Sequence, residues 1–339
     1  MAFFGVTLER IEKVWDHPNS DRLSMAKVEG LAFQFVIGKN QFQCGESVLY
    51  FPLDSLIPES ILQKMNMVGK LSGKNKNIIR TVKLRGELSQ GLVFPATLLT
   101  QEQSFLSSEE ITSLLGVTKY DPPITMTPGG ILMDLPSGFS KYDIEGAERY
   151  GHIVELLMEQ DVVIMEKMEG TNFSTAKDRN HSIIVNQRAN TIIEKEGVVN
   201  TYWKAARNSG LITVIETLNP LSAIYGELCG PGIQKNIYKI KDHEVFVFDI
   251  KDGGKWMSWS AFKSFSEKNL LKIAPVLFVG KLKDFLNGKS VQEASNGKSI
   301  INPEALREGI VIKPVTEQFH SQLGRLIIKQ RSPEYLAAE

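Results

Sequence analysis

The stretch that most constrains this chain runs from Val162 to Asn172. Val162-Val163-Ile164-Met165 is apolar, short and largely β-branched, the pattern of a buried strand. It runs into Glu166-Lys167-Met168-Glu169-Gly170-Thr171-Asn172 and then Phe173-Ser174-Thr175-Ala176. A lysine at the end of a buried strand can serve as a nucleophile. A carboxylate beside it can hold a cation, and a glycine lets the backbone approach a ligand closely. The short pattern lysine, any residue, acid, glycine is not specific by itself. Lys27-Val28-Glu29-Gly30 also fits it, and composition yields roughly 0.3 chance matches in such a chain. At either lysine the plain alternative is an exposed side chain before a turn glycine. The flanking residues and the later strand ends single out Lys167.

The length of 339 residues accommodates two domains of ordinary size. Hydrophobic residues make up 42% and charged residues 23%, the balance of a soluble globular protein. No apolar run approaches the roughly 20 residues of a membrane span, and the N-terminus has no secretory pattern. The two cysteines, Cys44 and Cys229, give neither a disulfide framework nor a thiolate metal cluster, so an intracellular, reducing setting is expected. Lysine plus arginine balance aspartate plus glutamate, for a formal net charge of zero. A nucleic-acid partner therefore requires basic residues gathered locally.

Residues 1 to about 115 alternate in short runs, around 5–11, 24–28, 33–37 and 46–52, separated by turns. That spacing predicts a small all-β barrel. The most basic segment follows: Lys70, Lys74 and Lys76, then Arg80, Lys83 and Arg85. It is either a solvated strand face or a phosphate-contacting surface. Pro122, Pro123, Pro128, Gly129, Gly130, Pro136 and Gly138 interrupt any period, so the interdomain linker is placed at 119–144, after a first domain of 1–118. Lys141–Tyr150 then leads in through an amphipathic helix or turn. Arg149 there could reach a triphosphate or be an ordinary surface residue. From 145 to 339 strands and helices alternate, with strands around 182–190, 223–232, 244–250, 307–314 and 326–331 and helices over 202–217 and 258–269. This is an α+β pattern with antiparallel sheets.

The strand ends occur in an order that resembles the covalent nucleotidyltransferases, the superfamily of ATP-dependent ligases and capping enzymes. The matching stretches are Lys167–Phe173, Tyr225–Gln234, Phe246–Ile250, Glu308–Pro314 and Lys329–Arg331. The continuation Gly170-Thr171-Asn172-Phe173 resembles the RNA ligase branch. Arg85-Gly86 with Ser89-Gln90-Gly91-Leu92 resembles the N-terminal OB-fold module of the small RNA ligases called the RNA ligase 5 family. Only eight residues follow Arg331, so the extra domain is expected at the N-terminus, as in that family and unlike the phage RNA ligase 2 pattern.

The resemblance implies an OB-fold barrel followed by an α+β nucleotidyltransferase domain. It implies an ATP-dependent RNA ligase that joins 3′-OH and 5′-phosphate RNA ends, at a nicked duplex, through AMP carried on Lys167 and then on the RNA. Lysine is a nucleophile only when neutral, against an ordinary pKa of about 10.4, and nearby cations favour the neutral amine. By position, Lys167, Glu227, Lys329 and Arg331 are implied in catalysis. Glu166, Arg188, Phe248, Val311 and Lys313 are implied with them in binding ATP, Phe248 and Val311 flanking the adenine. Glu169, Glu227 and Glu308 would hold Mg²⁺ or Mn²⁺, which prefer oxygen ligands. Asn172, with Arg80, Lys83 and Arg85 of the first domain, would contact nucleic acid. No membrane partner is expected, and the protein is expected to act as a monomer. A capping-type or DNA-ligase-type nucleotidyltransferase, and a non-catalytic nucleic-acid-binding protein that keeps the fold, are the alternatives.

Overall fold

The computed structural model describes residues 4–120 and 130–338. The chain divides into two compact units. One comprises Met1–Ile124 with Glu148–His152, and the other Thr125–Ala147 with Ile153–Glu339. No helix among the described residues is long and apolar enough to cross a membrane.

The first unit is built on an antiparallel sheet with the strand order Phe35–Gly38, Leu23–Val28, Thr7–Asp16, Ser47–Phe51 and Leu92–Pro95. Thr7–Asp16 pairs first with Ser47–Phe51 and then with Leu23–Val28, and its register shifts between Ile11 and Lys13. Such a bulge bends a strand and curls the sheet. The two edges approach each other: Gln90 donates its amide to Gln34 O at 2.9 Å, and the Val36 amide donates to Ser89 Oγ at 3.0 Å. The result is a nearly closed barrel of OB-fold type around Ile11, Phe33, Phe35, Val48 and Tyr50. Sequence alternation anticipated the strands but not two short helices, Glu59–Lys64 and Ser108–Leu114. They bury Ile61 and Ile111 with Leu49 and Phe51 in a second core. Ser107 and Glu110 close the second helix with a capping box.

In the second unit, among the described residues, a seven-stranded sheet runs in the order Gly130–Asp134, Asn190–Glu194, Ile183–Gln187, Thr171–Lys177, Ser222–Cys229, Glu244–Asp252 and Lys255–Trp256. A five-stranded sheet runs Glu145–Gly146, Ile328–Arg331, Gly309–Pro314, Asp161–Glu166 and Val276–Lys281. Pairing is antiparallel throughout both sheets except between Glu145–Gly146 and Ile328–Lys329, which run parallel. The helix expected over 202–217 is two, Thr201–Asn208 and Leu211–Glu216, separated at Gly210, whose φ of 70° ends a helix. Both pack on Phe173, Val185 and Ile192 of the large sheet.

The linker expected over 119–144 is described only in part, since 121–129 with Pro122, Pro123, Pro128 and Gly129 lie outside the described residues. From Gly130 the chain differs from that expectation. Gly130–Asp134 is an edge strand paired with Asn190–Glu194, and Tyr142 sits among Tyr225, Phe248 and Trp256. Backbone pairing and aromatic packing supply the order that the proline and glycine content concealed.

Candidate active site

Asp161–Glu166 lies within the smaller sheet and Thr171–Lys177 in the middle of the larger one. Lys167-Met168-Glu169-Gly170 is therefore the crossing from one sheet to the other. The Lys167 amide donates to Gly309 O at 2.9 Å, which sets the lysine beside Glu308. Lys167 Nζ then meets Glu308 Oε2 at 2.6 Å. The other carboxylate oxygen, Oε1, faces Arg331 Nε at 3.4 Å. Gly309 pairs with Arg331 and Val311 with Lys329 across adjacent strands. A Cβ at Gly309 would lie 2.0 Å from Gln330 O, so this approach of the two strands admits glycine only.

At the other end of the crossing, a Cβ on Gly170 would lie 2.6 Å from Leu228 O and 2.7 Å from Glu227 Cγ. The motif glycine thus makes room for Glu227, which stands opposite Asn172 in the register of the larger sheet. An open pocket of about 700 Å³, solvent at its mouth included, lies in this second unit. Lys167, Glu166, Asn172, Glu227, Phe248, Val311, Lys313 and Lys329 all line it, as do Tyr142 and Asp143. Arg188 lies in an adjoining polar cleft with Asn172, Asn186 and Gln187, paired with Asp143 at 2.7 Å. Lys329 and Arg331 point to the same side of their strand, as period two requires.

Charge in the pocket is uneven. Loss of hydration pushes the Glu227 carboxyl up to about 8; Lys167 and Lys329 draw it down and Glu308 adds to the rise. Among the described residues Glu227's carboxylate has neither a hydrogen bond nor an ion pair. Glu166 is buried, and burial raises its carboxyl above the usual range against the pull of Ser299, the Ile300 amide and Arg307. Its Oε2 accepts the Ile300 amide at 2.9 Å, while Oε1 is buried without a partner.

Beneath the pocket lies a group that sequence reading missed. Asp249 is fully buried; its Oδ1 meets Lys313 Nζ at 3.1 Å and its Oδ2 meets Arg325 at 2.7 Å. Burial alone would raise its acid, but Lys313 and Arg325 overcome this and hold it below the usual range. Tyr142 also donates to Asp249 Oδ2, at 2.7 Å, and its ring centre is 5.1 Å from that of Phe248. Arg325 lies over Trp256 at 3.8 Å and pairs with Glu317. Phe248 and Lys313 are thus held from behind. The only sequence signal was that Asp249 follows Phe248 at once.

Glu169 requires a correction. The resemblance implied it among the metal ligands, but its carboxylate is bound to backbone amides and does not line the pocket. Its Oε1 accepts the Lys235 amide at 3.0 Å and its Oε2 the Ile237 amide at 3.1 Å. The Tyr335 hydroxyl lies 3.4 Å from Oε1, and the carboxylate is buried. The described residues contain no group of three or more His, Cys, Asp or Glu able to hold a metal. Glu227 lines the pocket, and Glu308 adjoins it through its pair with Lys167.

In the first unit, Arg80 is paired with Asp54 and lies over Tyr120 at 4.7 Å. Lys83 and Arg85 are exposed on the hairpin formed by Val82–Leu84 and Glu87–Ser89. Arg85 and Gly86 both have positive φ, as a two-residue primed turn requires. Arg149 ends the turn Ala147–Arg149, of which Glu148 and Arg149 belong to the first unit.

A crossing lysine paired with a strand-end glutamate, over an aromatic-walled pocket with further strand-end cations, defines a nucleotidyltransferase centre. The RNA ligase family model matches residues 160–331, half of the chain, from the strand Asp161–Glu166 to the strand Ile328–Arg331, and an OB-fold domain model matches residues 5–96. The chain belongs to the RNA ligase family. It is similar over 98% of its length to Naegleria gruberi RNA ligase. A lysine-to-methionine mutant of that ligase with AMP and Mn superposes with a TM-score of 0.82, at 26% identity over 98% of each chain. The same ligase with PPi also gives 0.82, and an arginine-to-alanine mutant with ATP and Mn gives 0.80, both at 26% identity and 98% of each chain.

Proposed function

We propose that this RNA ligase joins a 3′-OH to a 5′-phosphate end, at a nick in duplex RNA, using ATP and AMP carried on Lys167. The observation that carries the proposal is Lys167, paired with Glu308 at 2.6 Å, in a pocket that Glu227, Phe248 and Lys329 line with it. Lys167 Nζ gives up a proton, for which Glu308 is the paired carboxylate, and forms an N–P bond to the α-phosphorus as pyrophosphate leaves with the bonding electrons. The 5′-phosphate of one RNA end then takes the AMP from Lys167. The 3′-OH of the other end attacks that phosphate, and AMP departs. Lys329, Arg331 and Lys313 offset the charge that gathers on phosphate in each step.

The pocket fits adenine nucleotide. Phe248 and Val311 offer apolar walls, and the unpartnered Oε1 of Glu166 suits an exocyclic amine. A base with a carbonyl at that position would meet a second acceptor there, which supports ATP over GTP. Glu227, an unpaired carboxylate of raised pKa, and Glu308 fit a hard divalent cation. When bound, Mg²⁺ or Mn²⁺ supplies positive charge to the phosphates. The related structures with AMP, ATP, Mn and PPi agree with this use of the pocket. Arg188 and Asn172 in the adjoining cleft would receive the RNA 5′-phosphate, and Lys83 and Arg85 the RNA backbone. The protein acts as a monomer in an intracellular setting in this reading, with domains divided near 118 and 145.

The test is incubation with α-labelled ATP and divalent metal, followed by ligation of nicked RNA and nicked DNA. Covalent label on Lys167, its absence with α-labelled GTP, and sealing that requires RNA at the 3′-OH end are expected. A protein that binds RNA and never becomes labelled would overturn the reading in favour of a non-catalytic binder.

A further inference from the structure

The loop after Ser222–Cys229 is built with unusual effort. Gln234, Asn236 and Lys239 all have positive φ, at 46°, 46° and 55°. Such conformations are costly outside glycine and persist only where surrounding structure imposes them. Here the imposition is visible. Glu169 accepts the amides of Lys235 and Ile237. The Glu169 amide in turn donates to Tyr238 Oη at 2.6 Å, and Asn302 Nδ2 donates to Ile237 O at 2.6 Å. Asn236 closes the far side, its side chain bonded to both the amide and the carbonyl of Ile240. A buried carboxylate, two residues from the nucleophile, therefore serves to hold this loop.

What the loop displays is Gln234 and Lys235, both exposed. Lys235 Nζ is 5.8 Å from the centre of the Tyr335 ring, and the Arg331 guanidinium is 5.8 Å from the same centre. Arg331 faces Glu308, and Glu308 holds Lys167. Tyr335 thus joins Lys235 to the cationic strand end of the pocket, while Lys235 itself stands outside the pocket lining.

We propose that Gln234 and Lys235 form a further RNA-binding site, at which Lys235 takes a backbone phosphate of the RNA near the reacting end. This rests on the RNA-joining reading above. A rigid loop with an amide side chain and an ammonium at its tip suits a phosphodiester, which offers acceptors and one negative charge. Its place outside the pocket assigns it to the long substrate rather than to ATP.

The experiment uses the full chain with Lys235→Ala, Lys235→Arg and Gln234→Ala, in two assays. The first is the rate of labelling by α-labelled ATP without RNA. The second is single-turnover sealing of pre-adenylylated nicked RNA across a range of RNA and salt concentrations. For Lys235→Ala, labelling within about twofold of the parent is expected, with RNA affinity lowered about 3- to 10-fold at low salt. The slope of log affinity against log salt should shrink by about one. Lys235→Arg should keep the slope and Gln234→Ala should weaken affinity without altering it. Unchanged affinity and slope in Lys235→Ala would overturn the proposal, as would a loss confined to ATP labelling. If the parent protein neither labels nor seals, the broader reading fails instead, and the two failures are distinct.

Discussion

Glu308 holds two cations at once, Lys167 through Oε2 at 2.6 Å and Arg331 through Oε1 at 3.4 Å. Lys167 and the strand Ile328–Arg331 are therefore tied to one carboxylate. Replacing Lys167 with alanine should abolish covalent labelling by ATP. Lys27→Ala should leave it nearly intact, because Lys27 sits in the barrel strand Leu23–Val28 of the first unit, cross-strand from Lys13, and is not followed by the later motifs. Peptide mapping of the label checks this; label on Lys27 would refute the assignment.

The raised acid of Glu227 gives a pH dependence with a definite sign. In the unfolded chain this carboxyl loses its proton near 4.5, and in the metal-free fold near 8. Between those values the folded state binds more protons, so this group's contribution to stability falls as pH rises through the window. Glu227→Gln removes that slope. In the presence of a chelator its Tm should exceed the parent's by a few degrees at pH 8.5 and differ little at pH 4. Added Mn²⁺ should raise the parent's Tm at pH 8.5 and leave the variant's unmoved. Thermal melts at the two pH values decide it.

Asp249 stands between the buried Lys313 and the partly buried Arg325, so its removal should cost more than that of any surface acid. Asp249→Ala should destabilise the protein by about 3–5 kcal/mol, because Lys313 and Arg325 are left uncompensated. Tyr142→Phe removes one hydrogen bond to the same carboxylate and should cost about 1–2 kcal/mol. Urea denaturation followed by tryptophan fluorescence measures both, and equal costs would contradict the arrangement.

Gly170 faces backbone on one side and Glu227 on the other. A methyl there must displace Leu228 O or the Glu227 side chain. Gly170→Ala should reduce ATP labelling by at least 100-fold while the protein remains folded by circular dichroism. Labelling at the parent rate would show that Glu227 can move without consequence.

The centre of the site could be read from the chain because Lys167 directly follows a buried strand. A short β-branched run such as Val162–Met165 announces its own burial, and the residue after it is then fixed at a sheet margin. Lys167 was legible for that reason, whereas Glu227 and Phe248, which stand inside their strands, were reached with Glu308 and Lys329 only through resemblance to the family's motifs. Glu169 was not, because its role depends on backbone amides 66 and 68 residues away, and amides leave no mark in a sequence. Arg325 and Tyr142 were hidden differently. Each meets Asp249 across 76 and 107 residues, and each lies in a stretch without regular period. The short helices of the first unit escaped because each completes less than two turns.

The balance of 39 basic against 39 acidic residues bears on how the molecule finds work. Some of its cations gather in the pocket and along one hairpin and one loop, while others are spread over the surface, where Lys39, Lys239, Lys272 and Lys283 are each paired with an acid. A molecule of this kind exerts little pull on a polyanion from a distance, since long-range steering follows the summed field. Intact RNA, however abundant, would hold it only briefly. It would meet broken ends by repeated short collisions and would sort them at contact, so its yield would follow the number of breaks rather than the mass of RNA around it.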